Sequence, residues 1–127
     1  MSEFDLHELP NNIEAEQSVL GAIIIDDKCV SIALNYLTPE CFYRKEHKEL
    51  FAVIINMFTA GKPIDVVTVL ETAMKNKVFP SHEDGKMYLV NLMQQVPSTA
   101  NTEHYCKIVE DNYYLRSLIK VTQEVMN

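Results

Sequence analysis

The sequence predicts an all-α protein, a compact bundle of about six helices ending in one long C-terminal helix. Three observations carry that expectation. Apolar residues recur at three- and four-residue spacing along most of the chain. Its 127 residues contain only three glycines and five prolines. From Asn101 to the last residue there is no glycine or proline at all.

Residues 1 to 10 are of mixed polarity and end in Leu9-Pro10, which reads as a flexible arm leading into the first helix. The next stretch, Asn11 to Asp26, is the one the other segments are expected to enclose. It opens polar and becomes apolar at every position from Val19 to Ile25 except Gly21. Asn11 is the expected cap, with Glu14 placed to reach back to the cap amide. Leu20, Ile23 and Ile24 fall on one side, and Gly21 on another would let a second backbone approach closely.

A second short helix through Val30, Ala33, Leu34 and Leu37 folds back on the first, and Thr38-Pro39-Glu40 signals another helix start. Phe42 and Tyr43 are expected to fill the gap before the clearest helix, Glu46 to Ala60. There Leu50, Phe51, Ile54, Ile55 and Phe58 make an apolar stripe, stopped by Gly61 with Pro63 beyond. Asp65 caps the next helix, in which Val66, Val69, Leu70 and Ala73 repeat. A strand over Ile64 to Val69 is the alternative, and the lack of a partner strand favours helix. Asn76 to Asp84 reads as a polar, mobile surface loop, and Gly85 to Val96 as a helix stopped by Pro97.

The final segment carries two apolar rows. One runs through Tyr105, Ile108, Asn112, Leu115, Ile119, Thr122 and Met126, the other through Val109, Tyr113, Leu118, Val121 and Val125. That surface is wider than one packed face needs and persists to the last residue with no cap or stop, so we expect a piece of a longer protein. The expected organisation is an arm over 1–10, a globular bundle over 11–100, and a long helix over 101–127.

Hydrophobic residues make up 47% and charged residues 23% of the chain, which excludes a largely disordered protein. The net charge of −7 argues against an intrinsic grip on nucleic acid, because phosphate binding needs clustered Lys and Arg. The densest basic run, Arg44, Lys45 and Lys48, is interleaved with Glu46 and Glu49 and reads as a solvated helix face. With no apolar run of membrane-spanning length and no signal-peptide pattern, no membrane association is expected and a cytoplasmic location is. Cys29, Cys41 and Cys106, odd in number and far apart, suit reduced thiols.

Nothing in the sequence supports catalysis, and no catalytic, cofactor-binding or metal-binding residue is assigned. Gly61-Lys62 and Gly85-Lys86 lack the upstream glycine and downstream Ser or Thr of a phosphate loop. His47 reads as a surface or capping residue on the polar side of its helix. Glu14 with Glu16, Asp26 with Asp27, and Glu110 with Asp111 are too close to face each other across a substrate. A small metal or thiol enzyme using Cys41, His47, His104 or Cys106 is the weakest of the functional readings.

Beyond this, Pro10 to Asp26, with its core Ile-Glu-Ala-Glu-Gln-Ser-Val-Leu-Gly-Ala, closely resembles the opening of the N-terminal domain of DnaB-type replicative DNA helicases. Further matches follow in order: Asn35 to Phe51 with Phe42-Tyr43 and His47, Gly61-Lys62-Pro63-Ile64-Asp65, Tyr88-Leu89, and Val96-Pro97-Ser98-Thr99-Ala100-Asn101 leading to Tyr105, Ile108 and Val109. The resemblance implies a helical bundle followed by a long helical hairpin, here truncated after its first helix, and a hexameric collar that docks primase and a helicase loader during replication. It implies no ATPase activity for this piece. ATP and Mg would belong to the parent helicase's C-terminal domain.

The implied partners are copies of itself, as dimer or hexamer, the helicase-binding domain of primase, and the loader, with no direct nucleic-acid binding. Leu115, Leu118, Ile119 and Val125 are the expected hairpin or inter-subunit contacts, and Tyr113 and Tyr114 the expected partner surface. A free-standing helical adaptor that shares the fold is the alternative.

Overall fold

A computed structural model describes residues 8–126, and of the arm expected over residues 1 to 10 the first seven lie outside them. Along the chain run α1 (Ile13–Ile25), α2 (Cys29–Leu34), a 3-10 turn (Pro39–Cys41), α3 (Lys45–Thr59), α4 (Val66–Lys75), α5 (His82–Gln95), a second 3-10 turn (Thr99–Asn101) and α6 (Thr102–Met126), with no strand among the described residues.

α1 is the spine. From Ala15 to Ile24 every residue but Gln17 is buried, because α5 and α6 pack along it and α2, α3 and α4 close the remaining sides. Gly21 makes the α5 contact possible. A Cβ there would stand 2.2 Å from the carbonyl oxygen of Leu92 and 2.5 Å from Val96, so only a residue without a side chain lets the two backbones meet.

The cap of α1 is Asn12, one residue later than expected, its side chain accepting from the Ala15 amide at 2.9 Å. Asn11 instead donates to the Leu9 carbonyl and the Glu8 carboxylate, holding the approach to the helix. With that shift Glu14 is left in solvent and makes no capping box.

Val30, Ala33 and Leu37 of the α2 region face the core, while Leu34 turns out of it. Thr38 and Pro39 start only one turn of 3-10 helix. Phe42 leaves that turn in extended conformation, and its ring inserts 5.0 Å from that of Phe51. In α3, Leu50, Phe51 and Ile54 point inward as expected, joined by Val53 and Met57, whereas Phe58 is exposed. Gly61 ends the helix at φ 72°, the left-handed conformation that glycine adopts without strain.

A reciprocal cap decides for helix over strand after Ile64. Asp65 Oδ1 accepts from the Thr68 amide and Thr68 Oγ1 accepts from the Asp65 amide, both at 2.9 Å.

The connection over Asn76 to Asp84 departs from the expected polar surface loop. Phe79 is buried, 5.3 Å ring to ring from Tyr88, and it packs where Gly85 leaves room. Ser81 Oγ caps α5 by accepting from the Asp84 amide, so that helix starts at His82 rather than Gly85. An apolar anchor in a polar run carries no periodicity, which is why the spacing pattern missed it.

Candidate docking surface

The described part of α6 is 25 residues long, and its two halves sit in different surroundings. Thr102, Cys106, Val109 and Arg116 are its buried residues, and at 100° per residue they span about 80° of the helix surface. This stripe lies on α1 and α2. Thr102 donates to the Thr99 carbonyl at 2.7 Å and approaches Cys29 Sγ at 3.2 Å. Burial pushes the Cys106 thiol up from 9.0 to about 12, so it packs as an apolar group. Tyr36 donates to Glu103 at the outer edge.

The packed stripe ends at Arg116, only 6% exposed and unforeseen from the sequence. Its Nη1 donates to the Pro10 carbonyl at 2.9 Å and its Nη2 to the Cys41 carbonyl at 2.8 Å. The guanidinium lies 5.3 Å from the Tyr43 ring centre and 5.9 Å from that of Tyr113. One side chain thus ties the entry to α1, the first 3-10 turn and α6 together. The signal was present, since Arg116 continues the Thr102, Cys106, Val109 row. A charged residue in such a row reads as an interruption unless carbonyls await it.

Beyond Arg116 the helix extends another ten residues, about 15 Å, with no buried residue. Of the expected interface residues, Tyr114, Leu115, Leu118 and Val125 are exposed, Leu118 at 63% and Val125 at 80%. Ile119 is half-buried. Tyr113 belongs to the bundle side, half-buried beside Arg116. Tyr114, Leu118, Val121 and Val125 stand at i, i+4, i+7 and i+11, and form one line opposite the packed stripe. Leu115, Ile119, Thr122 and Met126 form the line beside it. Val121 and Met126, in the sequence rows but outside the expected contacts, belong to this surface at 55% and 79% exposed. Tyr105 and Ile108, which the sequence puts in one row with Leu115, Ile119 and Met126, are half-buried against the core.

A second correction concerns His47, which is fully buried rather than on the surface. Its Nδ1 donates to Glu16 Oε1 at 2.7 Å, and Glu16 also accepts from the Tyr43 amide at 2.7 Å. Glu16 falls on the apolar side of α1, one turn before Leu20, so its acid pairing lay across the fold with α3 rather than along the chain with Glu14. The pair resembles a general-base arrangement, but both side chains are 1% exposed and His47 Nε2 meets no hydrogen-bond partner among the described residues. No substrate reaches it, and its work is to join α1 to the start of α3.

No group of three or more His, Cys, Asp or Glu converges among the described residues as a metal site would. Neither Gly-Lys pair leads directly into a helix N-terminus: Gly61-Lys62 follows the end of α3 and is separated from Val66 of α4 by Pro63, Ile64 and Asp65, and Gly85 is packed inside α5 against Leu70 and Phe79. Neither pair is placed to cradle a phosphate. No described helix is long and apolar enough to cross a membrane.

Comparison with known proteins decides the family. The model of the DnaB-like helicase N-terminal domain matches residues 8–111. The chain belongs to that family. Among curated relatives, the replicative DNA helicase DnaC of Bacillus subtilis is 37% identical over 116 residues, covering 91% of this chain and 25% of that protein. The replicative DNA helicase DnaB of Geobacillus stearothermophilus is 38% identical over 117 residues, again 91% and 25%. The chain therefore spans about a quarter of the length of these relatives.

The crystal structure of the N-terminal domain of DnaB helicase from Mycobacterium tuberculosis superposes with a TM-score of 0.88 at 31% identity, over 94% of this chain and 86% of that one. The three-dimensional structure of the N-terminal domain of DnaB helicase from Helicobacter pylori, described together with its interactions with primase, gives 0.75 at 19% identity over 89% of this chain and 87% of that one, a likeness of fold. The family model stops at residue 111, just short of Arg116 and the free rows.

Proposed function

We propose that this DnaB-type N-terminal domain is the collar module of a hexameric replicative helicase. It joins copies of the chain to one another and docks primase and a loader, with no ATPase activity of its own. Residues 11–100 form its bundle, and 101–127 form the helix that closes the bundle and begins a hairpin. ATP and Mg serve the motor of the parent helicase, a DNA-translocating protein of the cytoplasm.

The observation that carries this reading is the pair of apolar lines on α6 past Arg116, uncovered by the chain's own bundle. Apolar surface left in line on a rigid rod is favourable to bury against a second helix at roughly 25 cal/mol per Å². Leu115, Leu118, Ile119 and Val125 make the hairpin or inter-subunit contacts, and Tyr113 and Tyr114 edge the face toward a protein partner such as the helicase-binding domain of primase. Sedimentation velocity on the Leu118→Ser/Ile119→Ser double variant tests the assignment. Self-association of the parent chain is expected to fall by an order of magnitude or more in affinity, and an unchanged distribution overturns it.

A further inference from the structure

Where α6 leaves the bundle, a polar pocket of about 290 Å³ opens beside Arg116. Lys48 of α3 and Lys120 of α6 stand around it with Arg116, and Ser117, Tyr43 and Tyr113 line it beside the apolar Leu9 and Phe42. Among the described residues Glu40 is the one acid in that lining, 3.9 Å from Lys48; its side chain is mostly in solvent, while that of Lys48 is part-buried. Among the described residues no carboxylate lies within 4 Å of Arg116 or Lys120. Three cations facing one acid is unexpected on a chain of net charge −7. Arg116 is moreover a buried cation whose two described hydrogen bonds go to neutral carbonyls, an arrangement that gains from an anion nearby.

We infer that this pocket receives an aspartate or glutamate side chain from a protein partner seated against Tyr113 and Tyr114. The inference rests on the reading of those tyrosines as a partner face and adds the chemistry of its contact. A carboxylate fits the volume, and Lys48 and Lys120 supply the ammonium donors for it, with the Ser117 hydroxyl beside them. A protein rather than a nucleic acid is favoured on two grounds. The net negative charge of the chain repels an extended polyanion, whereas a single acid meets only the local cations. Ser117, on the pocket wall, also lies between Arg116 and the apolar line of Tyr114, Leu118 and Val121, so one protein surface covers both.

The test is titration calorimetry of the 127-residue chain with the primase helicase-binding domain, at several salt concentrations. Lys48→Gln/Lys120→Gln is compared with Lys48→Arg/Lys120→Arg and with Tyr114→Ala, each first shown to melt like the parent chain. The glutamine pair is expected to bind about tenfold more weakly with a flatter salt dependence, and the arginine pair to stay near the parent value. Glutamine-pair binding equal to the parent while Tyr114→Ala weakens it overturns the pocket and leaves the partner face standing. If neither variant moves the affinity, or the parent chain does not bind, the partner face falls and the pocket with it. Binding of a twenty-residue oligothymidylate by the parent chain but not by the glutamine pair replaces the carboxylate with a phosphate and also overturns the proposal.

Discussion

α1 and the second half of α6 are both rich in Leu, Ile and Val, yet the bundle treats them in opposite ways. α1 is enclosed so completely that a carboxylate on it, Glu16, is provided with an imidazole and a backbone amide inside the core. The last ten residues of α6 keep Leu118, Val121, Val125 and Met126 in solvent. Leu, Ile and Val recur in both stretches, so their presence alone does not tell a buried stretch from a free one. What separates them is what lies against each one: α2 to α6 all pack on α1, whereas past Arg116 no described residue of α6 is buried. On the proposed function, the first region supplies stability and the second supplies recognition.

That contrast sharpens under substitution. Gly21→Ala drives a methyl group into the Leu92 carbonyl, a backbone atom that cannot step aside, and should cost about 3 kcal/mol, lowering the melting temperature by roughly 10 °C. Glu16→Ala leaves the buried His47 and the Tyr43 amide without their acceptor and should cost about 3 kcal/mol in chemical denaturation. Arg116→Leu, at the boundary, strands two carbonyls and should cost about 2 kcal/mol. Leu118→Ser, in the free half, should change the stability of the lone chain by less than about 0.5 kcal/mol while weakening self-association. A stability loss at Leu118 comparable to that at Gly21 would erase the distinction.

Alkaline pH discriminates more gently. Burial holds the Cys106 thiol, ordinarily at 9.0, and the Tyr88 phenol, ordinarily at 10.0, up to about 12 in the folded chain. The fold therefore keeps protons that the unfolded chain releases. Stability from these groups is full below pH 9 and is lost as pH rises from 9 to 12. Cys106→Ala should make the melting temperature less sensitive over that window. The native Cys106 should also resist a thiol reagent at pH 8 that modifies it in denaturant.

Most of the architecture was legible because caps and periodicity are local. Asn and Asp caps, Thr38-Pro39, Gly61 with Pro63, and the unbroken run after Asn101 located the helices to within a few residues. Gly21 announced a close approach without naming α5 as the neighbour. The failures were polar or isolated groups whose partners lie far along the chain: Glu16 with His47, Arg116 with Pro10 and Cys41, and Phe79 under Gly85. Each reads locally as surface or loop, and only the tertiary path brings its partner near. The candidate surface was legible as an excess of apolar residues. Which of them face the bundle, as Tyr113 does, depended on where the packed stripe stops.

Hydrogen exchange along α6 in the dilute, monomeric chain tests the central distinction most directly. Amides of Cys106 to Arg116 should exchange as slowly as those of α1, through global unfolding. Those from Leu118 to Met126 should exchange by local fraying, orders of magnitude faster, and slow when the chain self-associates or binds a partner. Equal protection of both halves in the monomer would mean that the second half is already held by its own bundle, and would contradict the account.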